Sequence, residues 1–431
     1  MYVASLKLEH VRNFTHLVLE PSGGRNLLLG HNGHGKTNVL EMIALLSRGR
    51  SHRATSEKEL IQWGHTTASM EALLASHDTN RPPIHITGVF HRDPLSDRLQ
   101  TKLQVNGVTL EGRSQLVGLL PSVSFFPEDA AIAREAPALR RQWVDTALTQ
   151  RDSSQIKHLQ RYQAVRKQKA ELLKQLAHQP CGSAMEQLAL WNQTLAEAAA
   201  PVLLARLHYL QACGPVASHQ YELLCDSTQE PFTLGYGLAG EGFDPEVVAG
   251  LQQPKVWQQG LPDDWQSPTF WQQRYQQALT AAMAAELARQ QCLIGPHRDD
   301  VILMVKNQWV TMYGSQGQQR SVVLALKLAE LNTLQTHCAE PPILLLDDAL
   351  AELDPKRQRF LTQLLQTQSQ QFITTPSLSS GLFDKGLDPA VTPITPTQVY
   401  HVSDGVVSQS MQELSDADLT EPFPANLLAQ V

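Results

Sequence analysis

Apolar positions in the first hundred residues come in short runs: Ser5–Leu8, Leu17–Leu19, Asn26–Leu29, Met70–Leu74, Ile84–Phe90 and Leu99–Val105. Runs of this length, separated by turn formers such as Pro21-Ser-Gly-Gly24 and Asn106-Gly107, predict strands, and Asn-Gly is a strong hairpin turn. One helix interrupts them. From Lys36 onward, Val39, Leu40, Ile43 and Leu46 fall on one helical face.

From about Pro127 to Gln290 the period changes. Helices are predicted over Ala138–Thr149, Ser153–Ala177, Ala184–Cys225 and Pro268–Gln290, the third broken near Pro201 and again at Gly214-Pro215. The Pro- and Gly-containing stretch Thr233–Asp264 reads as loop. Strand patterns return at Val301–Val305, Gln308–Met312, Ile343–Leu346, Phe372–Thr375 and Thr397–Val402, with helices over Gln316–Leu334 and Pro355–Thr367 among them. The expected fold is α/β: a mixed sheet with helices, split by a mostly helical insertion that forms a short arm. The expected division is 1–125 and 291–405 as two parts of one domain, 126–290 as the insertion, and 406–431 as an acidic, mobile tail.

Composition narrows the class. Hydrophobic residues at 42% and charged residues at 18% exclude global disorder. No apolar run reaches the ~18 residues of a membrane helix, and Met1–Phe14, with Lys7, Glu9 and Arg12, has no signal-peptide core. Five scattered cysteines without a CxxC fit a reducing cytosol rather than a disulfide framework or a zinc site. The expected location is therefore cytoplasmic, without a membrane partner. The net charge of −7 seems to argue against nucleic acid. However, residues 386–431 hold six acids and no Lys or Arg, which leaves the rest of the chain at −1. DNA responds to a local patch, not to the total.

The strongest chemical signal is Gly30-His31-Asn32-Gly33-His34-Gly35-Lys36-Thr37, which fits G-x-x-x-x-G-K-[ST] at every fixed position. A strand runs into it and a helix runs out. Backbone N–H groups of such a loop wrap the phosphates of ATP, Lys36 neutralises their oxygens, and the Thr37 hydroxyl is placed to ligate Mg²⁺. Its acidic complement is Ile343-Leu-Leu-Leu346-Asp347-Asp348. Four aliphatics bury a strand and the carboxylates emerge at its C-terminal end, where open α/β sheets bind ligands. Asp347 is the expected metal partner and Asp348 the group that orients or activates the attacking water.

More than three hundred residues separate Lys36 from Asp347. Small P-loop kinases and GTPases close this pair within about one domain, so the spacing points to a split ATPase head of the ABC or SMC type. Before the acidic strand, Ser315-Gln316-Gly317-Gln318 opens a helix. Ser315 with Gln318 is a capping box, and a capped helix N-terminus is also a γ-phosphate contact. In split heads it faces the ATP of a second subunit. Glu352 and Asp354, in Ala351-Glu-Leu-Asp-Pro355, fall where such heads make cross-dimer contacts.

These segments resemble the bacterial RecF family. The resemblance is carried by Gly30–Thr37 with Asn38–Glu41, Ser51-His-Arg53 with Glu57–Ile61, Pro127-Glu128-Asp129 with Arg140-Arg141, Gly295-Pro-His297-Arg298-Asp299-Asp300, Gly314–Arg320, and Leu344–Asp348 with Glu352-Leu-Asp354. It implies a weak ABC-type ATPase that dimerises on binding ATP and binds DNA at junctions of single strand and duplex. It also implies work with RecO and RecR in loading RecA, a link to the SOS response, and association with the nucleoid. By analogy with split heads, Arg12 and Asn13 flank the nucleotide. Asp348 stands where many heads carry Glu, and Thr374-Thr375 stands where a histidine sensor is common.

Two basic clusters are candidates for DNA. One is Arg48, Arg50 and Arg53, after the phosphate-loop helix. The other is Lys157, Arg161, Arg166, Lys167 and Lys169 on the first arm helix, where the alternative is a solvated face. Two other function classes remain open from sequence: a small-molecule P-loop kinase with the arm as lid, and an ATPase subunit of a transporter.

Overall fold

The structure is a computed structural model that describes residues 1–51, 53–54, 56–178, 183–225, 229–348, 369–376 and 398–409. The chain divides into two compact units: Met1–Pro127 with Ala339–Val431, and Glu128–Cys338. The first is built from both ends of the sequence. Residues 291–338, expected from sequence to go with the head, cluster with the second.

The first unit opens with β1 (Tyr2–Val11), β2 (Phe14–Leu19) and β3 (Arg25–Leu29), followed by α1 (Lys36–Arg48). Then come β4 (Thr67–Ala75), β5 (Ile84–Arg92), β6 (Leu99–Val105), the short β7 (Val108–Thr109) and β8 (Ser122–Phe125). β4 alternates buried and half-buried residues along its length, the signature of a sheet with one covered face. It lies in an antiparallel sheet of order β2-β1-β4-β5-β6-β7. β8 is buried throughout, as a strand covered on both faces must be.

The second unit begins with α2 (Ala131–Arg134), α3 (Pro137–Arg151), α4 (Gln155–His178) and α5 (Ala184–Cys225). α5 runs unbroken through Pro201 and Pro215, contrary to the expected breaks. An internal proline costs about 3 kcal/mol. Burial of Leu203, Leu207 and Leu210 on this helix, at roughly 2 kcal/mol each, offsets it. At 42 residues α5 spans about 63 Å, while α4, the helix expected over Ser153–Ala177 as the short arm, has 24 residues and spans about 36 Å.

The stretch read as loop contains β9 (Phe232–Gly237), α6 (Pro245–Gln252) and α7 (Pro254–Gln259). Both prolines sit in the first helical turn, where no N–H is needed. α8 (Pro268–Arg289), β10 (Asp300–Val305), β11 (Gln308–Trp309), α9 (Val310–Tyr313) and α10 (Gln316–His337) complete the unit. The strand expected over Gln308–Met312 therefore stops at Trp309 and turns helical. β9, β10 and β11 form a small antiparallel sheet, while α4, α8 and α10 pack on α5.

The chain returns to the first unit with β12 (Ile343–Asp347), β13 (Gln371–Thr375), β14 (Gln398–Ser403) and β15 (Val406–Gln409). The second sheet there has the order β15-β14-β3-β13-β12-β8, parallel from β14 to β8. β15 occupies the first residues assigned from sequence to the tail, paired antiparallel with β14. α1 packs against β12, β13 and β8. One apolar core joins residues of both sheets to Val39, Leu40, Ile43 and Leu46 of α1.

Candidate functional site

β3 ends at Leu29 and the chain turns through Gly30–Gly35 into α1. Gly35 precedes the helix at φ 110°, where an L side chain is strained, and a Cβ there would fall 2.5 Å from Asn13 Nδ2. Lys36 is only 4% exposed and folds back over the loop. Its ammonium donates to Gly30 O at 2.6 Å, His31 O at 3.1 Å and Asn32 Oδ1 at 3.4 Å. Burial lowers its pKa below the ordinary lysine value, and the nearby Asp348 and Asp347 carboxylates oppose that shift.

The acidic strand arrives two places away in the sheet, with β13 between. Thr37 Oγ1 donates to Asp347 Oδ1 at 3.0 Å, and Thr374 Oγ1 of β13 donates to the same oxygen at 2.7 Å. The Asp348 N–H donates to Thr374 Oγ1 at 3.0 Å, and Asp348 holds φ at 44°. Thr37, Asp347 and Asp348 are thus brought together beside Lys36 as expected. Thr374 was given no role from sequence, yet its hydroxyl tethers both acids. Its place on the strand between β3 and β12 was the available signal.

Arg12 and Asn13 sit in the β1–β2 turn. Asn13 Nδ2 donates to His34 O at 2.8 Å, and Asn38 Nδ2 donates to Asn13 Oδ1 at 2.8 Å. Arg12 forks onto Glu41 at 3.0 and 2.7 Å. Glu41 also accepts from the Ser51 hydroxyl, whose oxygen takes the Arg53 and Ala54 N–H groups at 3.1 and 2.9 Å. The family-like Ser51–Arg53 segment is therefore tied to α1 and the β1–β2 turn. Arg12, Asn13, Asn38, Arg53, Gln62 and Trp63 line an open cleft of about 660 Å³ here. On the loop's other flank, the Asp404 N–H donates to His34 Nδ1 at 3.1 Å.

The signature turn lies in the second unit. Its capping box is complete: Gln318 N donates to Ser315 Oγ at 3.2 Å, and Ser315 N to Gln318 Oε1 at 3.0 Å. Gln318 Nε2 also reaches Glu230 at 3.1 Å. Ser315 and Gln316 are exposed, while Gly317 and Gln318 are half-buried. Glu352 and Asp354 lie outside the described residues.

The DNA candidates divide. α4 buries Tyr162, Val165, Lys169, Leu173 and Leu176 as one stripe. Lys169 is fully buried and ion-paired with Glu286 of α8 at 2.5 Å. It cannot face DNA, which corrects the sequence expectation; an unpaired buried charge would be costly. Lys157, Arg161 and Lys167 are exposed, and Arg166 is half-buried. Arg48 turns inward to Ser124 Oγ at 2.5 Å, whereas Arg50 and Arg53 are exposed.

The Gly295–Asp300 motif is architectural. Arg140 forks onto Asp300 at 2.7 and 2.9 Å, and Arg206 forks onto Asp145 while donating to Pro296 O at 2.6 Å. Asp299 accepts from Tyr236 and Tyr275 hydroxyls, each at 3.1 Å.

Residues 2–398 match the family model for the RecF/RecN/SMC N-terminal domain. The DNA replication and repair protein RecF of Synechococcus sp. (strain JA-3-3Ab) is 35% identical over 384 residues, covering 88% of this chain and 92% of that one. The protein of the same name from Latilactobacillus sakei subsp. sakei (strain 23K) is 33% identical over 413 residues, covering 96% and 100%. Among solved structures, the recombination mediator protein RecF with ATPrS in the RecFOR pathway aligns with TM-score 0.77 at 26% identity, over 95% of this chain and 98% of that one. An Smc head bound to the C-winged helix domain of ScpA aligns with TM-score 0.50 at 15% identity and shares the fold alone. With its phosphate loop, acidic strand and signature helix all in place, the chain belongs to the RecF family of split-head P-loop ATPases.

Proposed function

We propose that the chain is an ATP-gated DNA-binding protein of replication and recombinational repair, closing as a homodimer on gapped DNA. The observation that carries this reading is the meeting of Thr37, Asp347 and Thr374 beside the Lys36 ammonium. In a nucleotide complex, Lys36 exchanges the carbonyls of Gly30 and His31 for phosphate oxygens. The Thr37 hydroxyl and the Asp347 carboxylate present the oxygen ligands that Mg²⁺ takes, and the ion would neutralise charge on the β- and γ-phosphates. Asp348 is the base that orients the attacking water. Its side chain is one methylene shorter than Glu, which favours slow turnover and a long-lived ATP state.

Ser315 and Gln316, exposed at the N-terminus of a capped helix, suit contact with the ATP of a second copy. Lys157, Arg161 and Lys167 of α4 are the DNA surface, and RecO and RecR are the partners implied by family. Size-exclusion chromatography with and without ATP tests the gating, and equal mass in both runs would sink it. Ser315→Arg should abolish the ATP-dependent dimer while ATP affinity stays within about three-fold; parallel loss of ATP binding would place the signature in cis. On DNA, ATP should raise affinity for gapped over fully duplex substrates, with a steep salt dependence.

A further inference from the structure

The cleft beside the phosphate loop carries a group that phosphate chemistry leaves unused. Trp63 lines it and is 97% exposed. An indole so exposed is usually a loose loop tip or an unfilled contact. Trp63 sits instead on a built turn. Gly64 supplies the φ of +86° that the turn needs. His65 N donates to Gln62 O at 3.1 Å, and Gln62 N to His10 O at 2.8 Å. The Gln62 side chain meets His10 Nδ1 at 3.1 Å, and the His10 and His65 rings stack at 3.8 Å.

The same segment is joined to the turn that carries Arg12 and Asn13. Arg12 N donates to Leu60 O at 2.8 Å, and Val11 bridges to Ile61. Asn13 in turn holds His34 O of the phosphate loop. The backbone that presents the indole is therefore tied to the phosphate loop through a short series of hydrogen bonds.

We propose that Trp63 is the stacking platform for the base of the bound nucleotide. The inference rests on ATP binding at Gly30–Thr37. With the triphosphate on that loop, the adenine lies in the cleft against the indole face. The cleft, at about 660 Å³, falls within the roughly 300–1,000 Å³ of small-ligand pockets. Glu59 and Gln62 line it, and carboxylate and amide oxygens are the kind of acceptor that an exocyclic amino group requires. Trp63 is a positioning residue: it touches the base, not the reacting phosphates.

The test is calorimetric titration of the full chain, with Mg²⁺, by ATP and by inorganic tripolyphosphate. Trp63→Ala should weaken ATP roughly ten-fold and leave tripolyphosphate unchanged, while Trp63→Phe should recover most of the loss. Unaltered ATP affinity in Trp63→Ala overturns the proposal. Equal loss for both ligands also overturns it, since the turn would then act only through the phosphate loop. Retained ATP affinity with lost single-stranded DNA binding assigns the indole to DNA bases and overturns it too. A wild-type chain that binds neither ligand removes the ATP site itself, and the inference with it.

Discussion

Thr374 does more in this site than its residue type suggests. One hydroxyl donates to Asp347 and accepts from the backbone of Asp348, so it sets the direction of the Asp347 carboxylate and the turn that presents Asp348. Asp347 is only 4% exposed, and in such surroundings a lost donor costs more than a surface bond. Thr374→Val keeps the β-branched shape that β13 needs and removes both bonds. ATP binding should stay within a few-fold, while kcat falls on the order of ten-fold and the Mg²⁺ requirement rises. Thr374→Ser should restore both. A Thr374→Val chain with unchanged kcat would show that the hydroxyl only fills space. From sequence, Lys36, Thr37, Asp347 and Asp348 could be read because their chemistry demands fixed residue types at fixed offsets. Thr374 could not, because its role depends on which strand lies between two others.

At the scale of elements, legibility followed the strength of local signals. β3, α1 and β12 were readable because a buried run or a one-sided helical face needs no partner to be recognised. β9, α6 and α7 were missed because Gly235 and Gly237 weaken the strand signal and Pro245 and Pro254 look like breakers when they are helix starters. The continuity of α5 was missed because packing, not propensity, carries it across two prolines. Lys169 was misassigned because its partner Glu286 lies on another helix.

The Gly295–Asp300 motif offers a pH test. Burial, opposed by the Ala239 N–H and by Arg206, pushes Asp299 up to about 6. Burial also drives His297 down to about 4, where Cys292 O and the Tyr162 hydroxyl satisfy the neutral ring. The unfolded carboxyl titrates near ~3.9. Its contribution is therefore fully present below about pH 4 and is lost as pH rises toward 6. The unfolded imidazole titrates near ~6.5, so its contribution is present above that value and is lost as pH falls toward 4. The two slopes oppose and partly cancel in the wild type. Asp299→Asn should leave stability rising with pH between about 4 and 6.5, and His297→Gln should leave it falling between about 4 and 6. Urea midpoints across this range measure both, and wild-type profiles in both variants would contradict the assignment.

For the whole molecule, the net charge of −7 conceals its distribution. The exposed cations of α4 are opposed along that helix by few acids, and Arg161 is 3.8 Å from Glu197 of α5. Such a surface is modest, so under the proposed DNA role two copies of it would have to act together to hold a stable complex. The division of labour has a second side: the phosphate loop belongs to one compact unit and the signature helix to the other.

That arrangement also orders events in time. β3, near the start of the chain, completes its pairing only with β13 and β14, which the ribosome delivers hundreds of residues later. The continuous unit, Glu128–Cys338, can acquire its structure first. The nucleotide site waits, and its long-range strand pairings make it the slow step. A nascent chain halted after Cys338 should resist limited proteolysis across the second unit and yet bind no ATP. ATP retention by such a truncated chain would contradict this order. Nucleotide binding then reports on how far synthesis has gone: only a chain extended through β14 can hold ATP.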